Sequence, residues 1–246
     1  MHPILLKIAG LTIYSWGMMA VIGLIAALIC ALTLAKKEGV AALDILAMFG
    51  SLVFFGLVGG RLLYVLVFWK EFAGEPLRAF MLGDGGLIGY GAALFVVLSV
   101  LLYVACFRLN LFKVLDVGVP AIMLGYSIVR VGCFLNGCCY GIETTLPIGV
   151  TFPCATGARH PTQLYSSATV FIIFLILLVF RGRKKYDGEV LLLAVQLYAV
   201  YRFGIEFLRN EPRAYMWLSA SQLICLVFFL AAFSIFLRNR IKGALL

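Results

Sequence analysis

The chain has 246 residues, 64% of them hydrophobic and 13% charged, with a formal net charge of +9. A soluble domain is nearer half apolar and a quarter charged, so the composition excludes a water-soluble globule and predicts an all-α integral membrane protein. In such a chain positive charge reports orientation before it reports a nucleic-acid partner, and no nucleic-acid motif accompanies it.

In chain order, Met1 to Gly10 lacks the basic start, short apolar run and small-residue cleavage site of a removable signal. Apolar runs of membrane-spanning length then predict about seven spans, roughly 12–34, 43–68, 86–107, 114–135, 163–180, 189–208 and 218–237. Alternate connections carry the basic residues: Lys36 and Lys37; Arg108 and Lys113; Arg181, Arg183, Lys184 and Lys185; Arg238, Arg240 and Lys242. The other side holds only Lys7, Lys70, Arg78, Arg159, Arg209 and Arg213 in longer loops. The positive-inside rule therefore predicts a multi-pass cell-membrane protein with its N-terminus outside and its C-terminus in the cytoplasm. Residues 69–86 and 136–162, rich in Gly, Pro, Thr and Cys, fall outside. They are too long for tight turns and too polar to span, and 136–162 reads as a small extracytoplasmic head on one membrane-embedded domain covering 1–246.

Within the spans, three arginines stand out: Arg61, Arg130 and Arg202. A guanidinium in hydrocarbon costs at least about 2.5–3.5 kcal/mol, and persists when it faces a polar cavity, an anion or a carboxylate. A phospholipid headgroup is the anion at hand; structural pairing with Asp or Glu is the alternative. Gly83-Asp84-Gly85-Gly86-Leu87-Ile88-Gly89-Tyr90-Gly91 opposes a regular helix and reads as a bend where the third span meets a site, with close helix packing through small residues as the alternative. Asp116 opens the fourth span as an N-cap or a buried partner. Tyr14, Trp16, Tyr198 and Tyr201 lie near span ends, suited either to lining a lipid pocket or to an interfacial belt. Tyr198 shares a helix face with Arg202.

The segment Arg130-Val131-Gly132-Cys133-Phe134-Leu135-Asn136-Gly137, closed by Gly141, resembles the signature of the bacterial phosphatidylglycerol:prolipoprotein diacylglyceryl transferases. Ser15-Trp16-Gly17-Met18, Gly60-Arg61-Leu62-Leu63-Tyr64, the stretch from Gly85 to Gly91, His160-Pro161-Thr162-Gln163-Leu164-Tyr165, Arg202-Phe203 with Glu206 and Arg209, and Asn210-Glu211-Pro212 extend the resemblance over most of the chain. It implies an enzyme with a central lipid cavity and no cofactor. Its substrates would be phosphatidylglycerol and the cysteine thiol of a lipoprotein precursor, and glycerol phosphate would leave. On that resemblance Arg130 and Arg202 hold the departing phosphate. Arg61, Asn136, Gly137, Gly141, Tyr198, Trp16 and Gly86 bind substrate, and Arg209 guards entry beside Glu206, with a purely structural Glu206–Arg209 pair, three apart on a helix, as the alternative.

Two departures bear on mechanism. Tyr90 stands where many members carry a histidine proposed to take the thiol proton, and an unperturbed tyrosine, with a pKa of about 10, is a poor base. Either Tyr90 only hydrogen-bonds substrate, His160 is the base, or the arginine field suffices; His160 has a structural reading too, beside Pro161 at a helix start. The second departure is the cluster Cys133, Cys138, Cys139 and Cys154. A bridge from Cys138 or Cys139 to Cys154 suits an oxidising exterior. Free thiols, or a nucleophilic cysteine passing an acyl group through a thioester, are the alternatives. Zinc is conceivable with His160, but the spacing fits no standard site. A lipid-binding protein without catalysis completes the set of readings.

Overall fold

The computed structural model describes residues 1–8, 11–80, 86–209 and 217–244. Among them, seven helices are long and apolar enough to cross a membrane. A hairpin of β1 (Ile4–Ile8) and β2 (Leu11–Tyr14) leads into α1 (Ser15–Glu38), and α2 (Ala42–Val67) and the short α3 (Trp69–Phe72) follow. Next come a 3-10 turn (Pro76–Phe80), α4 (Gly89–Cys106) and α5 (Leu111–Asn136). A two-stranded ribbon, β3 (Val150–Thr151) with β4 (Ala158–Arg159), precedes α6 (Thr162–Arg181), α7 (Glu189–Ile205), a 3-10 turn (Glu206–Leu208) and α8 (Ala220–Ala244).

The expected spans coincide with these helices, with differences at their ends. Residues 12–14 are strand: the alternating, β-branched Leu11–Tyr14 pairs antiparallel with Ile4–Ile8 before the helix begins. The loop after α2 is partly helical, through α3 and the 3-10 turn. The sixth span tightens to 3-10 geometry over its last three residues. Arg213, Asn210-Glu211-Pro212 and Gly83-Asp84-Gly85 lie outside the described residues.

The chain divides into two compact units, Leu32–Val114 and the remainder, Met1–Ala31 with Leu115–Leu246. In the first, α2 packs on α4 through facing glycines. A Cβ on Gly59 would lie 2.6 Å from the Gly91 carbonyl oxygen, so only hydrogen lets the backbones approach this closely. Gly89 and Gly91 are thus the start of a helix; the described residues before it, 86–88, form no regular element, with Gly86 at φ +80 and Ile88 extended. Tyr103 donates to Asp44 Oδ1 at 3.1 Å, and Met48, Val104 and Val114 pack together. Asn110 Oδ1 accepts from the Phe112 and Lys113 amides at 3.1 and 3.3 Å, so Asn110, not Asp116, caps α5.

The second unit is centred on α5, α6 and α7, with Val119, Val170, Ile173, Leu177, Val190 and Tyr201 in its core. At the end where α5 begins, Asp116 is fully buried. It accepts from the Gly188 and Leu191 amides at 2.8 and 2.9 Å and pairs with Lys184 at 3.4 Å. It is a buried partner that caps α7, a neighbouring helix. Beside it, buried Glu189 pairs with Arg240 and accepts from the Lys185 amide.

Candidate active site

The opposite end of the same unit collects most of the expected site. Arg130, 14 positions after Asp116 on α5, lies about 21 Å further along the helix at 1.5 Å per residue. Its guanidinium donates through Nε to the Tyr126 hydroxyl at 2.8 Å and through a second nitrogen to the same oxygen, 4.8 Å above that ring. Among the described residues no carboxylate pairs with it. Tyr126 meets Tyr198 edge-on at 6.3 Å, and Tyr198 meets Tyr201 at 5.6 Å. Arg130 is within electrostatic reach of Tyr201, and Arg202 of Tyr198, so the two arginines flank one tyrosine cluster from α5 and α7.

Arg202 is satisfied differently. One nitrogen pairs with Glu206, one turn further on, and another donates to Ser221 Oγ at 3.4 Å. Glu206 is buried and also accepts from Ser219 Oγ at 2.7 Å. Glu206 pairs with Arg202, one turn earlier, where a pair with Arg209 was the expectation: the 3-10 turn ends at Leu208 and Arg209 continues with extended backbone (φ −105°, ψ 146°). Arg209 stands near Cys139 instead.

Below the tyrosines an apolar cavity of about 410 Å³ opens between α5, α7 and α8, lined by Met123, Ala194, Tyr198, Ile224, Cys225 and Phe228 among others. That volume lies in the range of small-molecule sites, and its apolar wall suits hydrocarbon.

The head is built on the end of α5. Gly137 has φ +74, with its amide bonded to the Phe134 carbonyl at 3.0 Å and the Cys138 amide to that of Cys133 at 3.2 Å. This is a Schellman cap, whose left-handed position calls for glycine. Gly141 does serve close approach, but to the chain itself: a Cβ there would collide with the Leu208 carbonyl and lie 2.7 Å from Thr162 Cγ2. Phe152, fully buried, packs on Phe134 and Tyr140. His160 faces Tyr165, Nδ1 to hydroxyl 3.3 Å, while its backbone bonds Ile142 and Gly141. Trp16 and Tyr14 are exposed at the start of α1, the surface an interfacial belt occupies.

The cap folds the cysteines together. The Sγ atoms of Cys133, Cys138 and Cys139 all lie within 4.8 Å of one another, and neither His160 nor Cys154 belongs to the group. All seven cysteines are free, so the expected bridge to Cys154 does not form. Two buried side chains of α6 fasten the turn: Gln163 Nε2 donates to the Cys138 carbonyl at 2.6 Å, and Thr162 Oγ1 to that of Cys139 at 2.8 Å. Asn136 hydrogen-bonds the Cys138 sulfur. The Cys139 thiol is lowered to about 5, chiefly by a hydrogen bond with Cys133, against opposing burial, and further by Cys138 and by the guanidiniums of Arg130 and Arg209. Burial raises Cys138.

Three expected residues belong to the other unit. Arg61 is 7% exposed and donates to the carbonyls of Ala79, Arg78 and Gly86 at 2.8, 2.8 and 3.2 Å, with Tyr64 and Phe72 against its guanidinium. It clamps its own loop, a third way to satisfy a buried arginine beside carboxylate or ligand. Gly86 (φ +80) sits against the Tyr64 ring. Tyr90 is 87% exposed. Tyr126 and Ser219 are contributors absent from the expected site, and Thr162 and Gln163 are expected only as part of the segment His160–Tyr165. Tyr126 was detectable in principle, four residues before Arg130 on one helix face.

The family model for prolipoprotein diacylglyceryl transferase matches residues 3–238. A phosphatidylglycerol–prolipoprotein diacylglyceryl transferase of Clostridium tetani is 38% identical, covering 98% of this chain and 99% of that one. A second so named, from Clostridium perfringens, is 33% identical over 99% and 97% of the two chains. One from Finegoldia magna is 34% identical over 94% and 93%.

Proposed function

The chain belongs to the prolipoprotein diacylglyceryl transferase family, and we propose that it transfers the diacylglyceryl group of phosphatidylglycerol to a cysteine thiol of a lipoprotein precursor. A thioether forms and glycerol phosphate leaves. The observation that carries the site assignment is Arg130: a guanidinium on a membrane-spanning helix, held by one tyrosine, with no carboxylate partner among the described residues. Such a group binds a phosphoryl oxygen and stabilises the charge that grows as the glyceryl carbon–oxygen bond breaks. Arg202 supports it from α7, oriented by Glu206 and Ser221. The cavity lined by Met123, Tyr198 and Phe228 takes hydrocarbon of the donor. Asn136, Gly137 and Gly141 shape the head over it, and Arg209 and Trp16 stand at its approaches. In the unit Leu32–Val114, Arg61 secures the carbonyls of Arg78, Ala79 and Gly86.

In the same reading this end faces outward and the end bearing Lys184 and Arg240 faces the cytoplasm, as the basic connections favour. Purified protein, phosphatidylglycerol and a lipobox peptide should yield a peptide heavier by one diacylglyceryl group and stable to hydroxylamine, together with glycerol phosphate. A hydroxylamine-labile adduct would replace this reading with acyl transfer through a cysteine. Lipid binding without glycerol phosphate release would leave a carrier. Reporter fusions at the C-terminus test the orientation.

A further inference from the structure

The three thiols of the Schellman turn have no part in the phosphate chemistry, yet they are the most strongly gathered set of metal-ligating atoms among the described residues. Cys133 comes from the last turn of α5, Cys138 from the residue after the capping glycine, and Cys139 from a backbone with φ +63, a conformation that non-glycine residues seldom adopt. The turn is held from outside by Gln163 and Thr162, and Asn136 bonds one sulfur. Outer contacts of this kind orient the ligands of metal sites.

We propose that Cys133, Cys138 and Cys139 form a three-thiolate site for Zn²⁺ whose fourth position is open to the acceptor cysteine of the peptide substrate. Geometry supports it first. Four-coordinate zinc with sulfur at about 2.3 Å places its ligands about 3.8 Å apart. Sulfurs already within 4.8 Å of one another need only a small contraction. Charge supports it next. Three thiolates and a dication leave one net negative charge, and a bound substrate thiolate makes it two. Arg130 and Arg209, both within electrostatic reach of Cys139, offset that charge. Thiolate ligands select soft, filled-shell metals over Mg²⁺ or Ca²⁺, and three-cysteine zinc with an open position is a working arrangement in other enzymes.

Placement gives the site its use, and here the inference rests on the transfer reading above. Attack on the glyceryl carbon requires the nucleophilic sulfur on one side and the departing phosphate on the other. Arg130, assigned to the phosphate, is three residues before Cys133 on α5. A thiol that coordinates zinc is deprotonated outright, so no side-chain base is needed. The proton passes to water. The sulfur then forms a bond to the glyceryl CH₂, the C–O bond to phosphate breaks, and the oxygen leaves with its electron pair as glycerol phosphate. The thioether, a weak ligand, is released.

The test uses the full chain in detergent, reduced, free of oxygen and stripped with a chelator, then titrated with Zn²⁺ and separately with Co²⁺. One equivalent per chain should bind, with thiolate-to-cobalt charge-transfer absorption. Cys139→Ser, at an exposed position, should weaken binding by at least the roughly 10–100-fold that loss of an outer-shell partner costs, without moving the thermal midpoint. Adding a lipobox cysteine peptide to the cobalt form should raise the charge-transfer intensity, and the serine peptide should not. Uptake equal to that of a triple Cys→Ser variant, or a disulfide in place of metal binding, overturns the site. Metal uptake with full transfer by stripped protein overturns its role in thiol activation. If metal and peptide thiol bind but phosphatidylglycerol yields no thioether, the site stands and the donor assignment fails.

Discussion

The two ends of α5 bury charge in opposite ways. At the start, Asp116 is fully saturated: two backbone amides and Lys184 surround it, with the Glu189–Arg240 pair alongside. Near the finish, Arg130 has a phenol and a ring face, and no carboxylate among the described residues. A closed network of this kind positions helices; its members have no capacity left for a ligand. A half-buried cation held only by neutral partners keeps its full charge for an anion that arrives later. Arg202 stands between the extremes, since Glu206 neutralises it while Ser221 and its exposed edge leave donors available.

The largest expected effect separates these ends. Arg130→Ala should reduce transfer by about 100- to 1,000-fold, the range for loss of one charge-stabilising donor, with little change in thermal unfolding. Transfer at the parental rate would end the phosphate assignment. Asp116→Ala should do the reverse, lowering stability by about 3–5 kcal/mol in denaturant unfolding and leaving the rate per folded molecule intact. The intermediate case is Arg202→Ala, which strands the buried Glu206 carboxylate and so should lose both stability and transfer. Adding Glu206→Gln should then recover stability alone. If both properties return together, Arg202 belongs with Asp116 and not with Arg130. The smallest effect belongs to the cap: Gly137→Ala forces a side chain into the left-handed region and should cost about 1–2 kcal/mol, read as a lowered unfolding midpoint.

The amino-acid sequence alone was enough for the membrane class, the number of spans and the family. Twenty-residue apolar runs and the spacing of Arg130, Asn136 and Gly137 are local patterns, and a bilayer leaves such runs no fold but a helix. It did not say what each polar residue does, because that depends on partners distant in the chain. Arg61, Arg130 and Arg202 look alike as interruptions of apolar runs. Only tertiary packing gave the first to loop carbonyls, the second to a tyrosine and the third to a carboxylate. The same holds for Asp116, whose amide partners lie more than seventy residues away. It holds too for Cys133, Cys138 and Cys139, whose irregular spacing hid a convergence that a left-handed turn creates. Hydrophobic patterning is additive along a chain, whereas hydrogen bonds and ion pairs require two groups to meet, and only the folded backbone decides which ones do.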